Sequence, residues 1–201
     1  GEWKTSTSGE TISIVSPYLK TEIGRVQAMS QQEIDEAIST TKAAQKKWAR
    51  LTVRERGAYL YKWIDELMGA KEEIAETIMQ EVGKAHKDAL KEVERTADYI
   101  RYTIEEAYHM HGESMMGENF VGGSRSKVAI IHRVPLGVIL AIAPFNYPVN
   151  LSASKIAPAL IGGNGVIFKP ATQGAISGVK LIEALDRAGI PKGVVNLVTG
   201  R

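Results

Sequence analysis

From Gly137 to Gly200 the chain reads GVILAIAPFNYPVNLSASKIAPALIGGNGVIFKPATQGAISGVKLIEALDRAGIPKGVVNLVTG. Val138 to Ala143 has the pattern of a buried strand, Val149 to Ile161 of a helix and Gly165 to Phe168 of a second strand. Ala175 to Ala188 then has the pattern of a helix and Val194 to Val198 of a third strand. Strands that recur about every 30 residues with a helix between them predict parallel pairing through crossovers, the unit of doubly wound sheets.

Outward from this stretch the pattern is helical. Ser30 with Glu33, and Thr52 with Glu55, carry the spacing of capping boxes. The first precedes Ile34, Ile38, Thr41, Ala44 and Trp48, and the second precedes Leu60, Trp63, Ile64 and Leu67, each at the three- and four-residue steps of an inward helix face. A third helix is predicted through Ile74, Ile78 and Val82, and a fourth from Lys84 towards His111 with Val93, Ala97, Ile100 and Ile104 inward. Short strands are predicted over Thr11 to Val15 and Glu22 to Gln27. Gly117, Gly122 and Gly123 punctuate the chain before the apolar run Val128 to Val134, which predicts a hairpin or extended arm. Three units result: residues 1–112, mostly helical; 113–136, an arm; and 137–201, the βαβαβ unit. A sheet that stops after three strands leaves an open edge, which predicts a truncated fold and so a fragment.

Composition narrows the function. The 201 residues carry 25 Lys and Arg against 23 Asp and Glu, scattered along helices, which argues against a nucleic-acid partner. No apolar run reaches the roughly 20 residues of a membrane span, so no membrane partner is expected and a cytoplasmic setting is the default. The absence of cysteine removes disulfides, thiolate metal sites and any cysteine nucleophile within these residues. His86, His109, His111 and His132 are too dispersed for a metal site, and none is expected.

Chemistry is expected where parallel strands end and helices begin. The first such turn, Pro144-Phe145-Asn146-Tyr147-Pro148, holds an asparagine amide between two prolines. That amide suits an oxyanion hole, and it suits equally an ordinary cap on the following helix. The second turn, Phe168-Lys169-Pro170-Ala171-Thr172, offers a cation for a ribose or phosphate; taken alone, Lys169 also reads as a solvated charge and Thr172 as an N-cap. Ser152 and Lys155 have the S-x-x-K spacing of serine acyl-transfer enzymes, a rival chemistry without its companion motifs.

With its Pro-Phe-Asn-Tyr-Pro and Phe-Lys-Pro-Ala-Thr segments, the run Gly137 to Gly200 resembles the aldehyde dehydrogenase superfamily, over essentially the whole chain. Phe145 with Tyr147, Thr172 in place of an acidic residue, and Arg95-Thr96-Ala97 make it similar to the NADP-dependent non-phosphorylating glyceraldehyde-3-phosphate dehydrogenases. The resemblance implies that Asn146 holds the oxyanion and that Lys155 is an accessory proton carrier. It implies that the backbone at Ala143 and Pro144 lies along the nicotinamide ribose, that Phe145 belongs to the cofactor site, and that Lys169 and Thr172 meet the 2′-phosphate of NADP. Arg95 and Tyr147, with Asn146, are implied to receive the substrate; for Arg95 a surface pairing with Glu92 or Glu94 stands as the alternative.

The reaction so implied is oxidation of glyceraldehyde 3-phosphate to 3-phosphoglycerate through a cysteine thioester. The nucleophile and the glutamate that activates water are expected outside this chain, which is expected to be inactive alone. The implied partners are a small aldehyde and further copies of the subunit, in a homo-tetramer that the stretch near Val128 to Val134 helps to form. Succinate semialdehyde or lactaldehyde as substrate, or a non-catalytic nucleotide-binding or oligomerisation role, are the alternatives.

Overall fold

The computed structural model describes residues 2–200; Gly1 and Arg201, the outer ends of the first and last expected units, lie outside the described residues. Strands β1 (Thr11–Val15) and β2 (Glu22–Gln27) form an antiparallel pair. Helices α1 (Gln31–Trp48) and α2 (Val53–Gly69) begin at Ser30 and Thr52, and in both the reciprocal capping-box bonds to Glu33 and Glu55 are made. Glu33 also accepts from the Thr7 N–H at 2.8 Å and the Ser6 hydroxyl at 2.8 Å, tying the leading segment to α1. Bonds from the Ser30 and Thr7 main chain hold its pKa down to about 2.

Helix α3 (Lys71–Val82) stops at Gly83, whose φ of 71° is the left-handed conformation that ends a helix at little steric cost. Helix α4 spans His86–Tyr108, two residues shorter at its start than the periodicity predicts, so Lys84 sits in the α3–α4 turn. The pair β3 (Glu113–Met116) and β4 (Val128–Ile131) is antiparallel. The remaining elements follow the predicted alternation: β5 (Val138–Ile142), α5 (Asn150–Ile161), β6 (Gly165–Lys169), α6 (Ala175–Arg187) and β7 (Val195–Leu197). Their strands form a parallel sheet in the order β5-β6-β7. The fold is α/β, a helical leading region followed by three strands of a parallel sheet, as the periodicities predict.

One large core joins helices and sheet, and a second, smaller cluster of Ile12, Ile14 and Val26 packs with Ala175. Leu60, Trp63 and Leu67 of α2, Ile74 and Ile78 of α3, and Val93, Ile100 and Ile104 of α4 are all buried in one cluster with Ile156, Val166, Phe168 and Leu181. Two tryptophans are fixed in it by their ring N–H groups, Trp48 donating to the Leu160 carbonyl at 2.9 Å and Trp63 to that of Leu181 at 3.2 Å. Helix α1 lies so close to β6 that a Cβ built at Gly165 would sit 2.6 Å from Thr41 Cγ2.

Two expectations about burial need correction. Only Ala141 and Ala143 of the first strand are buried, while Leu140 and Ile142 are 61% and 55% exposed, because β5 is an edge strand and the face they occupy has no layer packed on it. On α1, Ile38 is exposed and the inward stripe narrows to Thr41, Ala44 and Trp48, since the sheet meets only the later turns of this helix.

Candidate active-site edge

Strands β5 and β6 end side by side, with Ile142 paired to Lys169 and the Ala143 N–H donating to the Lys169 carbonyl at 3.3 Å. The two predicted turns therefore leave the same edge of the sheet. They also touch: a Cβ added at Gly174 would lie 2.9 Å from Pro148 Cβ and 3.5 Å from Phe145 Cα. Pro148 is buried and anchors the first turn, whereas Pro144, Phe145, Asn146 and Tyr147 are exposed along it. Lys169 is half-buried, and Thr172 opens a short 3-10 turn, Thr172–Gly174, that leads into α6.

Neither turn residue caps a helix. The N-cap of α5 is Val149 and that of α6 is Gly174, and neither supplies a side-chain bond. Buried glutamates from other helices do so instead. Glu92 of α4, its side chain 0% exposed, accepts from the main-chain N–H groups of Val149 at 2.9 Å and Asn150 at 3.1 Å. Glu81 of α3 accepts from the N–H groups of Ile176 at 2.7 Å and Ser177 at 2.8 Å, and from the Ser177 hydroxyl at 2.7 Å. A carboxylate at a helix N-terminus satisfies donors that the helix cannot and complements the positive end of its dipole. Two consequences follow for the edge. The main-chain donors that often hold phosphate at such corners are already used. Among the described residues, the Asn146 amide, the Lys169 amine and the Thr172 hydroxyl have no hydrogen-bond or ion-pair partner; the cap readings of Asn146 and Thr172 are not what the fold uses, while an unpaired Lys169 amine also fits a solvated charge.

Burial pushes the Glu81 carboxyl pKa up from its ordinary value of 4.5, against the lowering effect of its bonds to Ser177 and Ile176. A raised folded value means the native state holds the proton more tightly than the unfolded chain does. Its favourable contribution is thus present below 4.5 and is lost as pH rises through the folded pKa. Relative to Glu81→Gln, whose amide does not titrate, the unaltered protein should gain stability as pH falls from neutral towards 4.5. Urea unfolding of both at a series of pH values checks this, and an opposite trend would show that the hydrogen bonds outweigh burial.

Beside the first turn lies a cavity of about 220 Å³ lined by Lys84, Asp88, Lys91, Arg95, Tyr147 and Asn150, with Glu92 at its inner wall. Arg95 and Tyr147, expected to act together, are thus brought together. The surface pairing expected as the alternative for Arg95 is absent: Glu92 is committed to Lys84 and the start of α5, and Glu94 reaches Lys71 at 3.4 Å. Lys84 Nζ pairs with Glu92, donates to the Asn146 carbonyl at 2.8 Å, and stands 3.7 Å from the centroid of the Tyr147 ring.

Lys155 is exposed on α5 and does not line this cavity. Its S-x-x-K partner fails chemically, because the Ser152 hydroxyl is 1% exposed and donates to the Pro148 carbonyl of its own helix turn. Three contributors went unread in the sequence: Glu81, Glu92 and Lys84. Both glutamates carry a detectable signal, since each continues an inward stripe, Ile74-Ile78-Glu81 and Ala89-Glu92-Thr96, where a carboxylate is buried only if partnered.

The model of the aldehyde dehydrogenase family matches residues 3–201. An NADP-dependent glyceraldehyde-3-phosphate dehydrogenase of Streptococcus equinus is 50% identical over 201 residues, 100% of this chain and 42% of that relative. The crystal structure of the NADP-dependent glyceraldehyde-3-phosphate dehydrogenase of Bacillus halodurans C-125, complexed with NADP, superposes with a TM-score of 0.97 at 53% identity, again over 100% of this chain and 42% of the other. An alpha-ketoglutaric semialdehyde dehydrogenase of Bacillus subtilis (strain 168) is 37% identical over 201 residues, 100% of this chain and 40% of its own length. The chain thus spans well under half the length of these relatives. Among the described residues, no helix is long and apolar enough to cross a membrane. This chain belongs to the aldehyde dehydrogenase family.

Proposed function

We propose that these residues form the amino-terminal part of an NADP-dependent enzyme that oxidises glyceraldehyde 3-phosphate to 3-phosphoglycerate. The observation that carries this reading is the shared sheet edge at which the Asn146 amide and the Lys169 amine have no partner among the described residues, next to a cavity holding Arg95 and Tyr147. The names of the relatives support the same substrate and cofactor.

Within that reading Asn146 donates its amide N–H to the oxygen of the aldehyde carbonyl as it becomes an oxyanion. The thiolate that adds to the carbonyl carbon, and the glutamate that activates water to hydrolyse the resulting thioester, come from the remainder of the full-length protein, since this chain has no cysteine. These residues alone are therefore expected to be inactive. NADP, when bound, supplies the hydride acceptor.

The edge fits that cofactor. With the starts of α5 and α6 taken by Glu92 and Glu81, the groups left to meet a 2′-phosphate are side chains: the half-buried Lys169 amine and the Thr172 hydroxyl. A glutamate at the Thr172 position would repel that phosphate, whereas threonine donates to it. Ala143, Pro144 and Phe145, at the start of the same edge, would hold the nicotinamide end of the cofactor. Arg95 offers a planar guanidinium to the substrate phosphate, and Tyr147 lines the same cavity. Lys155, exposed and away from the cavity, retains at most an accessory part in proton movement. The β3–β4 pair, with Val128 and Ile130 56% and 66% exposed, serves as the arm through which subunits of a cytoplasmic homo-tetramer meet.

A second reading is favoured by the semialdehyde relative, because a carboxylate-bearing aldehyde would also suit Arg95. Steady-state assays of the full-length protein with glyceraldehyde 3-phosphate, succinate semialdehyde and lactaldehyde, each with NADP and with NAD and without inorganic phosphate, separate the two. The proposal expects the highest kcat/KM with glyceraldehyde 3-phosphate and NADP. A clear preference for either phosphate-free aldehyde overturns it.

A further inference from the structure

The Asn146 loop is exposed and irregular, yet an oxyanion donor must be held within a fraction of an ångström of one position. Its own prolines fix φ at the two ends of the turn, but Asn146 itself is clamped from elsewhere. The clamp is Lys84, placed in the α3–α4 turn by the left-handed Gly83. Its side chain is only 15% exposed and makes three contacts: an ion pair with the fully buried Glu92, a 2.8 Å bond to the Asn146 carbonyl, and a stack over the Tyr147 ring. Glu92 in turn binds the first N–H groups of α5, the helix into which the loop runs. One buried charge pair thus fastens both the middle and the far end of the loop to α4.

We propose that Lys84, backed by Glu92, is the positioning residue that holds the Asn146–Tyr147 loop in its reactive geometry. This rests on the reading of Asn146 as the oxyanion donor. Lys84 touches neither the reacting carbon nor the cofactor in this role; it acts by fixing the main chain of Asn146 and the ring plane of Tyr147. A methionine of similar length would fill its space and remove the donor and the charge.

The test is a double-mutant cycle on the full-length enzyme with Lys84→Met, Asn146→Ala and their combination. Lys84→Met should lower kcat about 10- to 100-fold with phosphorylated and phosphate-free aldehydes alike, while the Kd for NADP stays unchanged. In the Asn146→Ala background the same substitution should have almost no further effect on kcat. Because Lys84→Met leaves Glu92 buried without its cation, the charge-neutral pair Lys84→Met with Glu92→Gln is made as well. The glutamine oxygen can still accept from Val149 and Asn150, so this variant should melt close to the unaltered protein and still show the loss of kcat. Full additivity of Lys84→Met with Asn146→Ala, or an undiminished kcat in the charge-neutral variant, overturns the inference while leaving the role of Asn146 intact. An undiminished kcat in Asn146→Ala overturns the oxyanion reading and this inference with it.

Discussion

On the proposed role of Asn146 as oxyanion donor, Asn146→Ala in the full-length protein is expected to lower kcat by about 10² to 10³, the usual cost of removing one preorganised donor. The amide is exposed at the sheet edge, has no partner among the described residues, and caps no helix, so its removal breaks no bond of the native state. The melting temperature and the Kd for NADP should therefore stay where they were while turnover collapses. Asn146→Asp makes the complementary point: a carboxylate accepts and repels where the amide donates, so it should be at least as damaging despite its near-identical shape. Stopped-flow measurement of the first turnover places the loss in chemistry rather than in product release. A fall of less than about tenfold in the single-turnover rate would mean that another donor holds the oxygen.

The second large effect is on stability. Glu92→Ala should destabilise the protein by about 3–5 kcal/mol, the range for breaking a buried charge pair by removing one member. The loss has three parts: Lys84 is left as an uncompensated cation, the N–H groups of Val149 and Asn150 lose their acceptor, and the start of α5 loses its negative charge. Glu92→Gln keeps the acceptor and the shape but not the charge, and should cost clearly less. Chemical unfolding of the two variants beside the unaltered protein gives the comparison. Equal stability of all three would show that α5 begins independently of α4. Glu81→Ala is expected to be milder than Glu92→Ala, because Glu81 has donors but no cation paired with it, so its removal leaves no orphaned charge.

These expectations also mark which parts of the molecule could be read from residue order. The capping boxes at Ser30 and Thr52 are made as predicted because both partners lie within one helical turn, where local geometry alone brings them together. The parallel strands and their helices were legible for a similar reason: periodicity reports which face of an element is buried, and the spacing admits one connection. The exposure of Leu140 and Ile142 was not legible, since an apolar strand reads the same whether one face or two are covered. Glu92 shows the limit most clearly. In sequence it stands three residues from Arg95 and looks like half of a surface pair; in space its partners are Lys84, Val149 and Asn150, up to 58 positions away. Nothing local distinguishes those two outcomes except the apolar company Glu92 keeps along α4.

By itself, the order of residues determined the helices, the βαβαβ alternation, and the identities of the amide and the cation at the two turns, because each depends on bonds or burial within a few residues. Only the tertiary structure decided that those turns share one edge, that Asn146, Lys169 and Thr172 have no side-chain partner among the described residues, and that Lys84 and Glu92 bond to the loop and to the helix after it. The physical reason is that the helix starts beside these turns have their N–H groups satisfied from elsewhere, so the turn side chains are not drawn into capping. The groups that satisfy them are carboxylates carried in from α3 and α4, a pairing across the core on which local periodicity is silent.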